Sequence, residues 1–335
     1  MTHYNVLNNG EVCGRTLRLT PEDSLCIPVP LYHCFGLVLG NLAAICHGAR
    51  IVYPAAVFNP LSTLQAVEAE NCTALHGVPT MFVNILNHPD FSKFNLSKLR
   101  TGIMAGSSCP AEIMRRVISA MYMKDITIAY GMTETSPVSF QTGPDDSLVQ
   151  RVETVGAVHD HVEAKVVNEQ GETVPVGERG HLLTKGYIVM KGYWGNPEKT
   201  AESIQDGWMQ TGDAATIDEE GYCRIVGRMG DMIIRGGENI YPKEIEDLLY
   251  SHPAVLDVQV VGLPDPIYGE EVCAWLILRD NMILTEDEIR NYCKINVSHF
   301  KVPRYFMFVS EFPLTVTGKV QKYLMKEISI EKLGL

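Results

Sequence analysis

Several short stretches of this chain gather residue types that can do chemistry together. The first is Tyr130-Gly131-Met132-Thr133-Glu134-Thr135, directly after an apolar, strand-like run at residues 126–129. In an open parallel sheet, ligands sit beyond the carboxyl ends of the strands. There an aromatic ring can stack a base, a glycine can admit a phosphate, a hydroxyl can bond it, and a carboxylate can hold Mg2+. Taken alone, Thr-Glu-Thr serves equally well as a helix N-cap. The second stretch, Trp208-Met209-Gln210-Thr211-Gly212-Asp213, puts a carboxylate after what reads as a tight turn. One carboxylate can accept from both hydroxyls of a vicinal diol, although a lone Gly-Asp is more often plain turn chemistry. Next come Gly227-Arg228-Met229-Gly230-Asp231 and the strand-like Ile233-Ile234-Arg235-Gly236-Gly237-Glu238-Asn239-Ile240. The paired glycines Gly236 and Gly237 suggest close approach by a ligand. Last, Pro313-Leu314-Thr315-Val316-Thr317-Gly318-Lys319 sets a lysine on a small turn, where a lone lysine is ordinarily a solvated charge.

The elements that must position these residues follow from periodicity. Residues 49–53, 72–76, 99–105 and 126–129 read as strands, and 61–69, 79–86 and 111–120 as helices, the first entered through Asn59-Pro60 and the third through Pro110. Such alternation implies parallel strands with helical crossovers. From about residue 151 the texture changes to short strands, 162–167, 181–184 and 222–226, separated by turns, which suggests a small β-rich part. Residues 227–231 read as a flexible junction. Beyond it the pattern is α+β: helices at 242–250 and 285–297, the second with a Thr285-x-x-Glu288 capping box, and strands at 255–261, 272–278 and 305–309. The expected fold class is therefore α/β. A large N-terminal domain, 1–226, comprises a parallel α/β sheet part (1–150) and a β-rich part (151–226). A smaller α+β C-terminal domain, 232–335, stands on a hinge at 227–231.

Composition sets bounds on this reading. The 335 residues are 46% hydrophobic and 20% charged, ordinary for packed domains. The net charge of −12 disfavours non-specific nucleic-acid binding. Nine cysteines, an odd number with no C-x-x-C pair, argue against a disulfide scaffold or structural zinc and for reduced thiols. The most lipid-like run, residues 34–46, is shorter than the roughly 20 residues that span a bilayer and reads as a buried helix. Polar residues follow Met1, so no targeting segment is read. His159-x-His161 has one-face spacing on a strand, but no carboxylate or cysteine cluster supports a metal there.

The motifs in this order, from near residue 2 to near residue 326, resemble the AMP-dependent synthetase family, which includes acyl-CoA synthetases, luciferases and peptide-synthetase adenylation domains. The detail of Pro30-Leu31-Tyr32-His33-Cys34-Phe35-Gly36 and of Arg235 to Pro242 is most similar to its mitochondrial medium-chain fatty acyl-CoA ligases. The resemblance implies ATP, Mg2+ and coenzyme A as cofactor and co-substrates, a fatty acid as substrate, and a location in the mitochondrial matrix. It implies roles as well. Gly106, Ser107 and Ser108 would line the adenine pocket with Tyr130 and Gly131, Thr133 would bond phosphate, and Glu134 would hold Mg2+. Asp213 and Arg228 would bind ribose. Lys319 would bridge the carboxylate and the α-phosphate, His33 would border the acyl pocket, and Gly236 and Gly237 the pantetheine tunnel. Gly230 occupies the pivot position, where the family usually carries Asp or Lys. The family's Ser/Thr/Gly-rich phosphate loop, expected just before Thr2-His3-Tyr4-Asn5, is not found in the sequence. The expectation is thus a chain missing the leading part of its first domain, with little ATP-dependent activity alone. Two other readings stay open: the same adenylating fold with a carrier protein or an oxygenase reaction as its outlet, and a non-catalytic product.

Overall fold

The computed structural model describes residues 1–107, 109–315 and 319–335, so Ser108 and residues 316–318 lie outside the described residues. The chain divides into two compact units, residues 1–211 with 215–225, and residues 212–214 with 226–335.

The first unit is built on a seven-stranded sheet of β1 (Ser24–Cys26), β2 (Arg50–Val52), β3 (Ala74–Leu75), β4 (Thr101–Ala105), β5 (Asp125–Gly131), β6 (Val138–Gln141) and β7 (Ala157–Val158), in the order β2-β1-β3-β4-β5-β6-β7. The first five are parallel, while β6 and β7 pair antiparallel. β4 is buried throughout, as expected of a strand covered on both faces. Alternation along it sorts the core. Met104 of β4 and Ile126 and Ile128 of β5 join one apolar cluster, and Ile103, Ala105 and Ala129 join the other. Helices Pro60–Ala69, Pro79–Leu86 and Ala111–Ala120 cover the first face, through Leu64, Val67, Phe82, Ile85, Ile113, Met114 and Val117. Helix His3–Thr16 and the segment from Phe35 to His47 cover the second. Pro60 and Pro79 sit at helix starts, where the missing N–H costs nothing, and the Asn59 side chain accepts from Ser62 N.

A second sheet comprises β8 (Val162–Val167), β9 (Gly180–Gly186), β10 (Ile204–Gln205), β11 (Trp208–Ile217) and β12 (Cys223–Arg228), in the order β10-β11-β9-β8 with β12 beside β11. The second unit carries β13 (Ile233–Arg235), β14 (Glu238–Ile240), β15 (Val255–Asp265), β16 (Gly269–Leu278) and β17 (Tyr305–Phe308). Its sheet runs β14-β13-β16-β15 with β17 parallel to β16. Helices Pro242–Tyr250 and Glu286–Asn296 pack their Ile245, Leu249, Ile289 and Cys293 on it, and the Thr285/Glu288 capping box is formed.

The structure corrects the sequence reading at four places. Asp213 lies inside strand β11, not after a tight turn; Gly212, with φ +77°, bends that strand locally. His159 and His161 follow β7 rather than sharing a strand face. His159 is buried with its Nε2 3.1 Å from Gln141 Oε1, while His161 is exposed with φ +60°. The apolar run from residue 34 is a π-helix, Phe35–Leu42, continued by the helix Ala43–His47, and it is only partly buried, with Leu37 and Ile45 exposed. Four helices, His3–Thr16, Leu148–Glu153, Pro197–Ser203 and Lys322–Leu333, form where no helix was read. Among the described residues, no helix is long and apolar enough to cross a membrane.

Candidate active site

At the carboxyl ends of β4 and β5 the backbone is unusually constrained. The register pairs Ala105 with Ala129, which sets Gly106 beside Tyr130. Gly106 takes φ +96°, a left-handed conformation open to glycine, and turns the chain into exposed Ser107. Tyr130 is half-buried, its ring 6.1 Å from that of Phe140 at 59°. At Gly131 a Cβ would lie 1.8 Å from the Pro137 carbonyl oxygen, so only glycine lets the chain double back there. The return is held by buried Thr135, whose hydroxyl donates to Pro137 O at 2.7 Å and accepts from Met132 N at 3.2 Å.

This turn leaves Thr133 exposed and Glu134 half-exposed. The Glu134 carboxylate accepts from the Tyr193 hydroxyl at 3.0 Å, and its backbone carbonyl accepts from Met190 N at 2.9 Å. Burial first, then the Glu134 hydrogen bond, hold the Tyr193 phenol above its ordinary pKa. The segment before the π-helix meets the same turn. Cys34 Sγ lies 3.6 Å from Thr133 Oγ1 and 3.7 Å from His33 Nδ1. His33 Nδ1 accepts from Phe35 N at 3.1 Å, which ties the imidazole to the start of the π-helix. Gly36 is required nearby, because a Cβ would sit 2.4 Å from Pro30 O. The first unit thus brings His33, Cys34, Thr133, Glu134 and Tyr193 into one run of contacts. Tyr193 and Cys34 were not singled out from sequence. The only sequence signal for Tyr193 is an aromatic pair between glycines, Gly192-Tyr193-Trp194-Gly195.

In the second unit Asp213 and Arg228 are brought together, with Arg228 Nε 3.7 Å from Asp213 Oδ1 and the Asp side chain 14% exposed against 70% for the Arg. The pair sets a sheltered carboxylate beside an exposed guanidinium. Gly230 follows in the turn Met229–Asp231; its φ is not left-handed, and a Cβ there would meet nothing within 4 Å. Gly236 and Gly237, φ +59° and +90°, form the two-residue loop of the β13–β14 hairpin, with Arg235 opposite Glu238. Two positive φ angles define a type I′ turn, so turn geometry by itself accounts for this glycine pair. Arg235 anchors the hairpin, donating to both oxygens of buried Glu271 at 2.7 and 2.9 Å. Lys319 is exposed on a separate hairpin whose base is closed by Thr315 N to Lys319 O at 2.8 Å and Lys319 N to Thr315 Oγ1 at 3.0 Å. Its ammonium makes no ion pair among the described residues. Ser108 lies outside the described residues, and no cluster of three or more metal-ligating side chains occurs among them.

Residues 1–194, more than half the chain, match the AMP-binding enzyme family. The chain belongs to that family. Residues 244–319 match the AMP-binding enzyme C-terminal domain. Among relatives of the AMP-binding enzyme, a Bacillus subtilis (strain 168) protein, YngI, named as an acyl-CoA synthetase, is 54% identical over 338 residues, covering 100% of this chain and 61% of that protein. The mitochondrial medium-chain acyl-CoA ligase ACSF2 of Bos taurus is 48% identical, covering 100% of this chain and 55% of that protein. The chain therefore spans little more than half the length of these relatives. Among solved structures, ATP-bound MatB from Rhodopseudomonas palustris superposes with a TM-score of 0.89 at 30% identity, over 99% of this chain and 65% of that one. The anthranilate CoA ligase AuaEII in complex with anthranoyl-AMP gives 0.90 at 29%, over 99% and 64%.

Proposed function

We propose that the protein containing this chain is an AMP-forming acid–thiol ligase that activates a medium-chain fatty acid with ATP and passes the acyl group to coenzyme A. The observation that carries this reading is the Tyr130–Thr135 turn at the carboxyl end of β5, in a chain of the AMP-binding enzyme family. In the first half-reaction a carboxylate oxygen attacks the α-phosphorus of ATP and pyrophosphate leaves. In the second the CoA thiolate attacks the acyl carbon and AMP leaves. Both steps bring anions together, so positioning and charge neutralisation are what the protein must supply.

On this reading Gly106, Ser107 and Ser108 line the adenine site with Tyr130 against the base and Gly131 leaving it room, and Thr133 bonds phosphate. Asp213 accepts from the ribose hydroxyls beside Arg228. Lys319 neutralises the approaching carboxylate and α-phosphate, a task suited to a mobile point charge. His33, in the Cys34–Thr133 contact region, borders the acyl chain. Gly236 and Gly237 flank the pantetheine arm. Residues 227–231 form a hinge between an N-terminal domain, 1–226, and a C-terminal domain, 232–335, with Gly230 at the pivot. Mg2+ fits Glu134: a half-exposed carboxylate with one oxygen held by Tyr193 suits an ion that takes one or two carboxylates and completes its shell with water and phosphate. Bound there, it would neutralise phosphate charge. Medium-chain preference rests on the name of the ACSF2 relatives. Location in mitochondria rests on the same names, against a bacterial relative of higher identity.

The test is a coupled assay across saturated acids of increasing length. Octanoate-dependent pyrophosphate release and CoA-dependent AMP release, both strongest at medium length, are the expected results. Pyrophosphate release without any CoA-dependent step would assign a different acceptor, and activity peaking with long chains would remove the medium-chain assignment.

A further inference from the structure

Lys322 is the first residue of the helix Lys322–Leu333, three positions beyond Lys319. A cation is out of place at a helix start, where the exposed N–H groups already present positive charge. Its surroundings give it another purpose. Lys322 Nζ donates to Glu246 Oε1 at 2.8 Å and to the Val260 carbonyl at 3.2 Å, and stands 3.9 Å from Asp231 Oδ2. Glu246 is buried on helix Pro242–Tyr250 and also accepts from Val260 N at 2.9 Å. One ammonium therefore ties together a helix, strand β15 and the segment that follows Arg228. Removing the half-buried Lys322 ammonium would leave the buried Glu246 carboxylate without its cation, so the pair clamps the two elements together.

The clamp is placed beside the Lys319 hairpin. The stem of that hairpin is laced by Leu314 against Val320, by Gln321 N to Pro313 O at 2.8 Å and by Gln321 Nε2 to Leu314 O at 2.9 Å. Gln321 is the residue before Lys322. Whatever fixes Lys322 fixes one end of the stem on which Lys319 is carried.

We propose that Lys322 is a positioning residue for adenylation, anchoring the base of the Lys319 hairpin to Glu246 and to Asp231 of the 227–231 segment. The proposal rests on the reading of Lys319 as the lysine of the first half-reaction. It assigns Lys322 no contact with substrate.

Three variants test it: Lys322→Met, the paired Lys322→Met/Glu246→Leu that removes both charges and keeps the site apolar, and Lys322→Arg. Two readouts are taken, amide hydrogen exchange at residues 313–321 and the two half-reactions measured separately. Lys322→Met and the double variant should exchange faster at Thr315, Lys319 and Gln321. They should lose adenylate formation about 10- to 100-fold, the effect of a small misplacement remote from the chemistry. Conversion of supplied octanoyl-adenylate and CoA should stay within about twofold, and Lys322→Arg should recover both readouts. Unchanged exchange in the folded double variant overturns the proposal, as does an equal loss in both half-reactions. If the parent protein forms no adenylate, the function proposed above fails by itself. Exchange then decides the anchoring alone, faster exchange supporting it and unchanged exchange refuting it.

Discussion

At the scale of single residues, the functional reading depends on a few side chains whose removal gives separable effects. Lys319 sits exposed on its hairpin with no ion pair among the described residues, so Lys319→Ala should leave the fold intact. It should lower octanoyl-adenylate formation by about 10² or more, the scale of one lost transition-state stabiliser, while still converting supplied adenylate with CoA. Equal losses in the two half-reactions, measured by rapid quench, would remove its assigned role. Gly131 is a different case, because an added methyl would meet backbone 1.8 Å away. Gly131→Ala should cost about 1–3 kcal/mol of stability as the 131–137 turn is forced open. ATP binding by calorimetry should weaken along with it. A variant that melts like the parent and binds ATP normally would show that the turn yields without consequence.

At the scale of elements, two neighbouring glycine sites should behave in opposite ways. Gly237 takes φ +90° in its type I′ loop, and a side chain there costs roughly 1–2 kcal/mol even though space is open. Gly230 has no left-handed φ and nothing within 4 Å, so Gly230→Asp should change stability by less than about 0.5 kcal/mol. If Gly230 is the pivot, that variant should still shift the ratio of the two half-reaction rates; an unchanged ratio would dissociate it from the hinge. The same elements show what was legible in the sequence. Helices opened by proline, such as Pro60–Ala69 and Pro79–Leu86, were readable because the start signal and the apolar face agree locally. Helix His3–Thr16 was not, since its asparagines and glycines are poor helix formers. It is fixed from a distance, by Asn9 donating to Val138 O at 2.8 Å and accepting from Val138 N at 3.0 Å. Strand β6 hid for a related reason, as buried Ser139 and Gln141 break its apolar pattern. Asp213 was misread because a glycine within a strand looks like a turn. The site motifs stood out because their residue types are unusual together. Tyr193 did not, since the carboxylate that gives it meaning is far away in sequence.

At the scale of the whole molecule, the two units should answer acid differently. His76 and His159, both in the first unit, are pushed down to about 4 by burial. His76 is locked neutral, with Nε2 donating to Leu39 O at 2.9 Å and Nδ1 accepting from Ile103 N at 3.1 Å. Above pH 6.5 neither folded nor unfolded chain protonates these groups. As pH falls from 6.5 to about 4 only the unfolded chain does, so the first unit loses roughly 3 kcal/mol for each. In the second unit burial raises Asp257 to about 6, a penalty felt above that pH and relieved as the carboxyl protonates, while His252, lowered by partial burial, offsets part of that gain. Exchange followed separately in the two units between pH 7 and 4.5 should show residues 1–211 loosening first, and loosening of the second unit first would contradict this account. The same division can be followed through sulfur. Six of the cysteines are buried, Cys13, Cys26, Cys72 and Cys223 in the first unit and Cys273 and Cys293 in the second, where burial raises the thiols to about 12 and about 11. Cys46 is exposed, and Cys34 and Cys109 are partly so. An alkylating reagent thus meets a graded set of targets in the unaltered protein. Cys46 should label first, although burial and Glu11 hold its thiol above the ordinary value, Cys34 and Cys109 more slowly, and the buried six only when their own unit opens. Counting mass increments over time would then read the opening of each unit from one sample, with no residue altered.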